Sequence, residues 1–398
     1  MKKALRVGGL HKGLTIAALG TAALLATTGA VAYAATTAPS SAASACIAKA
    51  HVGPRVDRFG GVISAVHTKA CQSVGATGTT GDTASGAPPL IWHGGAVMAT
   101  ASTGPLVITP IFWNPAGHPM DAGYINLITQ YLGDVAKASG RTDNVYSTAT
   151  EYSGTDGTIR YQIRLGTPIN DTSALPKSSC KLTHADTSGI YVDGTGYDAC
   201  IDDAQVIAET NRLVSANSLP RNLSHIYVMY LPKHVESCFI AGAVNTTRNA
   251  CTINHEPSAA YCAYHSEFGS NTVYANMPFP IYTSPVGFTC SSDARVAGFG
   301  GVQAPNGNPD ADTEISPTSH EVMEAMTDPD TETGWYDSSG FENGDECAYI
   351  FGPVSGTSGA FYNQTINGNH YLTQQEFSNK GFFQPSGGGC IQGEAAVK

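Results

Sequence analysis

Residues 319–329 read SHEVMEAMTDP and lie at the centre of an unusually acidic part of the chain. Residues 310–346 contain twelve carboxylates and no Lys or Arg. On an α-helix, residues four apart share a face, so we expect His320 and Glu324 to point the same way, with Glu321 rotated aside. Carboxylates without basic neighbours must be solvated, be protonated or share a cation. The segment therefore predicts a metal site on a helix.

We expect this helix to cover residues 315–326. Pro317 and the two hydroxyl residues after it supply helix-start chemistry, because proline suits the first turn and hydroxyls accept from free N–H groups. The helix should stop before Asp328, since the residue before a proline avoids the α region. His320 and Glu324 then lie one turn apart and can serve as two helix-borne metal ligands.

A catalytic zinc site needs three protein ligands and one open position. We expect His320, Glu324 and Asp345 to hold the ion, and Glu321 to activate water as the general base. Asp345 is preferred because it lies in a tight turn, residues 342–347, that ends in a cysteine expected to form a disulfide. The acidic segment offers three alternative third ligands: Asp328, Asp337 and Glu346.

The expected ligand set also affects the choice of metal. Two carboxylates cancel the charge of a divalent ion, so it acidifies water less than an ion held by histidines. Oxygen-rich ligation suits calcium or manganese as well as zinc. The site is then either a slow hydrolytic centre or a purely structural one.

The same residues allow an interpretation without a metal. Glu321 and Glu324 would then form a solvated helix face, and His320 would be a hydrogen-bonded residue near the helix start. His93 and His265 could approach the site, but we interpret each of them as a structural histidine.

The first residues indicate the compartment. Residues 1–34 have the pattern of a secretory signal peptide, with basic residues, an apolar run over residues 14–32 and a small-residue cleavage site before Ala35. No later stretch has eighteen or more uninterrupted apolar residues, so we expect no membrane association after signal cleavage. The sequence therefore predicts a secreted, extracellular protein.

Ten cysteines lie outside this signal, and an even number in an exported chain predicts up to five disulfides. We expect neighbours to pair as Cys46–Cys71, Cys180–Cys200 and Cys347–Cys390, with Cys238, Cys251, Cys262 and Cys290 pairing among themselves.

The net charge and the absence of two catalytic motifs argue against several classes of function. The net charge of −11 disfavours nucleic acid and anionic membranes as partners. The chain has no Gly-x-Ser-x-Gly elbow and no phosphate-binding loop that ends in Gly-Lys-Ser/Thr. We expect a monomer whose partner is a polypeptide substrate or a cell-wall component.

The organisation of the chain predicts one large domain. Residues 35–89 are expected to be an N-terminal segment and linker, and residues 90–398 the domain itself. Apolar periodicity alternates between strands and helices, which favours an α/β fold with helices packed on a mixed sheet. The C-terminal half should be loop-rich and stapled by disulfides. The expected elements are strands at 106–113, 159–165 and 226–231, and helices capped by Asp121 and Asp202.

Two resemblances to known families bear on the expected fold and compartment. Residues 319–329 resemble the metal-binding helix of zincins, with Glu324 where a second histidine is usual, which implies a zincin-like fold. A larger set of motifs resembles the bacterial relatives of the EXORDIUM, or phosphate-induced, extracellular proteins, whose plant members are secreted or wall-associated. That set comprises residues 92–95, 112–113, 144–146, 262–265, 319–329, 335–337, 344–347, 362–364 and 374–379.

These observations favour a secreted metal-dependent peptidase with zinc as its cofactor. The alternative is a non-catalytic extracellular or cell-wall-associated binding protein whose acidic segment is stabilised by calcium. A third interpretation is a polysaccharide-active protein that uses Trp113 and Trp335 as exposed aromatic residues. In the first case, the strand that carries Arg160, Gln162 and Arg164 could offer its edge to an extended peptide.

Overall fold

A computed structural model describes residues 89–394 of the 398-residue chain, apart from 183–194, 239–250, 253–260, 270, 281–289, 291–298, 300, 332, 339 and 385–387. The expected signal peptide, the segment before residue 89 and the expected Cys46–Cys71 pair lie outside the described residues.

The strands are β1 Ile91–Trp92, β2 Leu106–Trp113, β3 Ser153–Gly154, β4 Gly157–Thr158, β5 Ile163–Leu165, β6 Ile169–Asp171, β7 Ala199–Asp202, β8 His225–Tyr230, β9 Val235–Cys238, β10 Tyr264–Phe268, β11 Thr272–Met277, β12 Trp335–Tyr336, β13 Gln364–Ile366, β14 Asn369–Tyr371, β15 Glu376–Phe377 and β16 Cys390–Ile391. The α-helices are α1 Ala122–Lys137, α2 Asp203–Ala216, α3 Pro309–Thr327 and α4 Asn379–Phe382, and 3₁₀ helices cover Val145–Glu151 and Asp345–Cys347.

The main sheet has the strand order β10-β11-β8-β2-β5, and β6 pairs with β2 beyond the end of β5. The pairings of β2 with β5, β6 and β8, and of β8 with β11, are parallel, whereas β10 is antiparallel to β11. The mixed sheet expected from the sequence is therefore confirmed.

Helices cover both faces of this sheet. Alternate side chains of β2, β8 and β11 pack into one core together with α1 and α3. The intervening side chains, among them Trp113 and Met229, pack with Val206 and Leu213 of α2 on the opposite face. Strands buried on both faces are mostly apolar, and β2 follows this rule with Thr109 as its one polar residue. Trp113 lies in this second core at 1% exposure, so its expected role as an exposed aromatic is wrong.

Pro110 lies in β2, an inner strand of the sheet. On one side of β2 it faces Val228 of β8. On the other side, β5 pairs with Leu106–Ile108 and β6 with Ile111–Trp113, so the neighbouring strand is interrupted at Pro110. Because proline has no N–H to give to a ladder, the interruption leaves no donor missing.

The two capped helices agree with the sequence. Asp121 accepts from the Tyr124 N–H at the start of α1, and Asp202 forms a capping box with Gln205 at the start of α2. The apolar face expected for α1 is buried. Such local signals act through neighbouring residues, which is why they can be read without the fold.

The start of α3 differs from the expected residue 315. The helix begins at Pro309, where Asn308 accepts from the Ala311 N–H, and Pro317 lies inside it. Pro309 therefore occupies the first-turn position that the sequence analysis gave to Pro317. The expected end is confirmed, because Asp328 is the C-cap.

Four disulfides lie within the described residues. Cys180–Cys200 and Cys347–Cys390 pair as expected, and the four middle cysteines pair among themselves as Cys238–Cys251 and Cys262–Cys290. Three of these four bonds lie after residue 237, which confirms a disulfide-stapled C-terminal half. The zincin-like arrangement stays a prediction. Within the described part of the chain, no helix combines the length and the apolar character needed to cross a bilayer.

The first turn of α3 carries a pH-dependent contribution to stability. Burial raises the pKa of Asp312 to about 6, although N–H groups of Asn306 and Asn308 donate to its carboxyl group. An unfolded aspartate titrates near pH 4, so the folded state binds this proton more tightly. The resulting stabilisation is complete below about pH 4 and is lost as the pH rises through 6.

We therefore expect the unfolding free energy of Asp312→Asn, measured relative to the wild type, to rise by about 1–3 kcal/mol between pH 4 and pH 7. Urea unfolding of both proteins across this range measures the difference. A difference that is independent of pH contradicts the assignment.

Candidate metal centre

Helix α3 is buried along nearly its whole length, although few of its residues are apolar. It lies against β8, β10, β11 and α1. On another side, the backbone N–H of Gln374 donates to Ser316 Oγ at 3.0 Å. His320, Glu321 and Glu324 are fully buried as a result. These polar side chains are withdrawn from water, so any partners they have must be inside the protein.

His320 lies close to each of the other two expected ligands, Glu324 and Asp345. His320 Nε2 lies 2.8 Å from Glu324 Oε1 and 3.7 Å from Asp345 Oδ1. The backbone N–H of Asp345 donates to the same Glu324 oxygen at 2.9 Å. Nε2 has no aligned hydrogen-bond partner, despite its short distance to Glu324. Two atoms about 3 Å apart without that alignment have the spacing of two ligands of one ion.

The turn that carries Asp345 fits closely over the helix. Gly344 has φ −76° and ψ −43°, values that any residue adopts. However, a Cβ atom at this position would lie 2.7 Å from His320 Nδ1 and 2.8 Å from Glu324 Oε1. The glycine is therefore required by space and not by backbone conformation. One turn further on, Cys347 forms the disulfide with Cys390 that ties this segment to β16.

His265 joins the site from β10, although the sequence analysis interpreted it as structural. Its Nδ1 lies 3.4 Å from Glu321 Oε2 and 3.7 Å from Glu324 Oε2. Its Nε2 lies 2.9 Å from the Asp328 carbonyl oxygen and 3.9 Å from Glu342 Oε1. Because a carbonyl only accepts, Nε2 carries the ring proton and donates it, and Nδ1 presents a lone pair to the carboxylates.

Two overlapping groups of side chains have the spacing of a metal site. His320, Glu321 and Glu324 form one group, and His265, Glu324 and Glu342 form the other, with ligand atoms within 4.8 Å of one another in each. The expected third ligand, Asp345, belongs to neither group, and Glu321 joins His320 and Glu324 instead. Among the described residues, three oxygens of these groups are buried without a hydrogen-bond partner: Glu321 Oε1, Glu324 Oε2 and Glu342 Oε1. Buried polar atoms of this kind are uncommon in folded proteins and indicate a missing partner such as an ion or water.

Burial is the main cause of the shifted protonation of these groups. It lowers the pKa of His265 and of His320 to about 4, so both rings are neutral. Burial, followed by repulsion from Glu324, raises the pKa of Glu321, Glu342 and Asp345 well above the usual range. Without a cation the carboxyls therefore hold their protons, whereas the charge of a cation would favour the ionised forms.

The amide of Gln374 determines which ring nitrogen of His320 carries the proton. Its amide Nε2 donates to the Gly344 carbonyl at 2.7 Å and lies 2.9 Å from His320 Nδ1. Two donors cannot face each other, so Nδ1 accepts and the proton of the neutral ring is on Nε2. A cation at Nε2 requires that proton to move to Nδ1 and the amide to rearrange. We expect this to cost about one hydrogen bond, or ~1 kcal/mol.

The other candidates of the sequence analysis lie in different positions. Asp328 contributes its carbonyl to His265, as described above. Asp337 Oδ1 accepts from the Phe341 N–H within its own loop. Burial, followed by repulsion from Asp337, raises the pKa of Glu346 to about 9. His93 stacks on Tyr336 at 3.6 Å between ring centroids.

Sequence reasoning missed Glu342, Glu376 and the role of Gln374. Glu342 precedes Asp345 by three residues, and this helical spacing in an already suspected turn is a signal that could have identified it. Glu376 is fully buried with both carboxylate oxygens unpartnered, and Glu324 and Asp345 contribute to raising its pKa after burial. Its place in the sequence gave no such signal.

Comparison of the chain with protein-family profiles, with curated proteins and with solved structures found no match in any of the three. The likeness to zincins and to EXORDIUM relatives therefore rests on the sequence motifs and stays a prediction.

Proposed function

We propose that this chain is a secreted metal-dependent peptidase whose cation is held by His320, Glu324 and Asp345. The observation that carries the proposal is the approach of His320 Nε2 to one oxygen of Glu324 and one oxygen of Asp345. Around them, oxygens of Glu321, Glu324 and Glu342 are buried without a hydrogen-bond partner among the described residues. A divalent cation there would supply a Lewis acid that acidifies water and polarises a carbonyl. Zinc is the proposed ion, because an imidazole and carboxylates are ligands that it accepts.

Glu321 is the proposed proton acceptor. It has a carboxylate oxygen within 4.8 Å of ligand atoms of His320 and Glu324, and its Oε2 faces His265 Nδ1. Oε1 of the same carboxyl group has no partner and can take a proton from a water molecule in the site. His265 cannot donate to Glu321 while its ring proton is held by the Asp328 carbonyl, so His265 does not neutralise this carboxylate.

The arrangement of the sheet favours a different substrate edge from the expected one. β5 lies at the end of the described sheet opposite to β10, about 20 Å away at ordinary strand spacing. β10 carries His265 and contacts α3. In the described part of the sheet β10 is the other edge, so an extended polypeptide added there would lie beside the candidate centre. Asp345, with its side chain 9% exposed, is the expected ligand nearest to solvent.

A second candidate function is a non-catalytic extracellular binding protein with a calcium-stabilised acidic site. The observation that favours it is the complete burial of Glu321 and Glu324, which suits a structural ion better than a site open to substrate. Under this alternative, calcium raises the thermal unfolding temperature and a chelator lowers it, with no turnover in either state.

We expect Glu321→Gln to lower hydrolysis of an unfolded polypeptide by about 10²–10⁴-fold in the zinc-loaded protein, because the amide cannot accept the proton. Its zinc content should equal that of the wild type. Peptide release and metal content, measured on the same samples, test both statements.

Glu314→Gln is the matched control, because Glu314 is equally buried on α3 but belongs to neither metal-spaced group. It should retain both activity and zinc. Full activity in Glu321→Gln removes Glu321 from the reaction. Absence of turnover in the wild type, together with stabilisation by calcium, supports the second candidate function instead.

A further inference from the structure

We propose that the centre holds two divalent cations, the second bound by His265 Nδ1, Glu324 Oε2 and Glu342. This inference deepens the proposed function and rests on it for the first cation. It assigns a ligand role to His265 and Glu342, and it makes Glu324 a carboxylate shared between both positions.

His265 already has the protonation state of a metal ligand. Its Nε2–H donates to the Asp328 carbonyl at 2.9 Å, so the lone pair of Nδ1 points into the cluster. Metal-bound histidines usually donate their other ring N–H to a carbonyl or carboxylate in this way. His320 would need its proton moved and the Gln374 amide rearranged, whereas His265 needs neither change.

The two oxygens of Glu324 face different histidines. Oε1 lies 2.8 Å from His320 Nε2, and Oε2 lies 3.7 Å from His265 Nδ1. Oε1 also accepts from the Asp345 backbone, but Oε2 is buried without a hydrogen-bond partner. A carboxylate in this orientation can bind one ion through each oxygen, as in the two-metal sites of hydrolases.

The second position has its own unpartnered ligand atom. Among the described residues, Glu342 Oε1 is buried without a hydrogen-bond partner and lies 3.9 Å from His265 Nε2. Glu342, His265 and Glu324 each have a ligand atom within 4.8 Å of the other two. Glu342 belongs to the turn that also carries Asp345, and the Glu342 N–H lies 3.4 Å from Asp345 Oδ2. One turn thus supplies a carboxylate to each cation, while α3 supplies the carboxylate between them.

The number of carboxylates also favours two ions. Six buried acidic side chains form a cluster around Glu324, and among the described residues none of them pairs with a Lys or Arg. They are Glu321, Glu324, Asp328, Glu342, Asp345 and Glu376. If all six are ionised, one divalent cation leaves four negative charges and two cations leave two. Burial makes each uncompensated charge costly. Zinc or manganese fits a ligand set of this kind.

The test is the number of ions per chain. The purified full chain is stripped with a chelator, reloaded with Zn²⁺ or Mn²⁺, desalted, and assayed for metal by mass spectrometry. We expect two ions in the wild type and one in Glu342→Gln, which is nearly isosteric and removes the anionic ligand. His265→Asn is the second variant at this position and should also retain one ion. Asp345→Asn should lose the other ion, and Glu324→Gln should weaken both by at least about 100-fold.

Glu314→Gln is again the control and should retain two ions, because its buried carboxyl group belongs to neither position. Thermal unfolding of each variant establishes that it is folded. A wild type that binds one ion overturns the second position. If that single ion is lost in Asp345→Asn and kept in Glu342→Gln, the proposed function stands without it. A wild type that binds no ion overturns the proposed function as well.

Discussion

Gly344→Ala is expected to reduce zinc binding by at least about tenfold and to abolish most hydrolysis, although it changes no ligand and no proton acceptor. An alanine Cβ would lie 2.7 Å from His320 Nδ1 and 2.8 Å from Glu324 Oε1, closer than such atoms approach. Because φ and ψ of Gly344 are ordinary, the backbone itself tolerates the substitution. The strain must therefore be relieved by moving the turn away from the helix.

That movement affects several contacts at once. The Gly344 carbonyl accepts from Gln374, and the next N–H donates to Glu324. Displacing the turn weakens both bonds and carries Asp345 away from His320. Overpacking of this kind costs about 1–3 kcal/mol, which a domain of this size can survive. The loss should therefore be visible in a folded protein.

Zinc titration and thermal unfolding of the variant measure the two effects. Gly117→Ala is the matched control, since Gly117 is exposed and no atom lies within 4 Å of an added Cβ. It should bind zinc like the wild type. Wild-type affinity in Gly344→Ala would show that the turn does not close over the site in the way described.

Replacing both cysteines of the Cys347–Cys390 disulfide with alanine is expected to destabilise the protein by about 4 kcal/mol. The bond closes a loop with a sequence separation of 43 residues, and its loss restores the freedom of that loop in the unfolded chain. We also expect weaker zinc binding, because Cys347 belongs to the same 3₁₀ turn as Asp345.

Removal of a second disulfide is the control that distinguishes the loss of stability from the loss of zinc binding. Cys180–Cys200 has a sequence separation of 20 residues, and its removal should cost about 3 kcal/mol. It ties the segment around Cys180 to β7, and neither contributes to the centre. Chemical unfolding should therefore show similar losses for both double variants, while zinc affinity falls only without Cys347–Cys390. Equal zinc affinity in the two variants argues against a positioning role for that bond.

Much of the scaffold was predictable because its signals are local. Asp121 and Asp202 cap helices through their own neighbours, and the apolar run at 106–113 predicts a strand without knowledge of its partners. The predicted start of α3 was wrong because either of two prolines, Pro309 or Pro317, could occupy the first turn. Only packing decided that Pro317 would lie inside the helix.

The candidate centre was predictable in part. Helical spacing placed His320 and Glu324 on one face, and the acidic turn pointed to Asp345. The participation of His265 was undervalued, since 55 residues separate it from His320 and no periodicity links them. Its approach follows from β10 being antiparallel at the sheet edge beside α3.

The sequence alone determined which chemistry is available: an acidic segment without basic residues, a helix that presents an imidazole and a carboxylate four residues apart, and cysteines that pair with their neighbours. The tertiary structure decided which of these groups meet. It buried α3 between the sheet and the C-terminal segment, turned both oxygens of Glu324 toward different histidines, and left several carboxylates without partners. The physical reason is that spacing along a helix fixes direction locally, whereas burial and the contact of distant segments depend on how the whole chain packs.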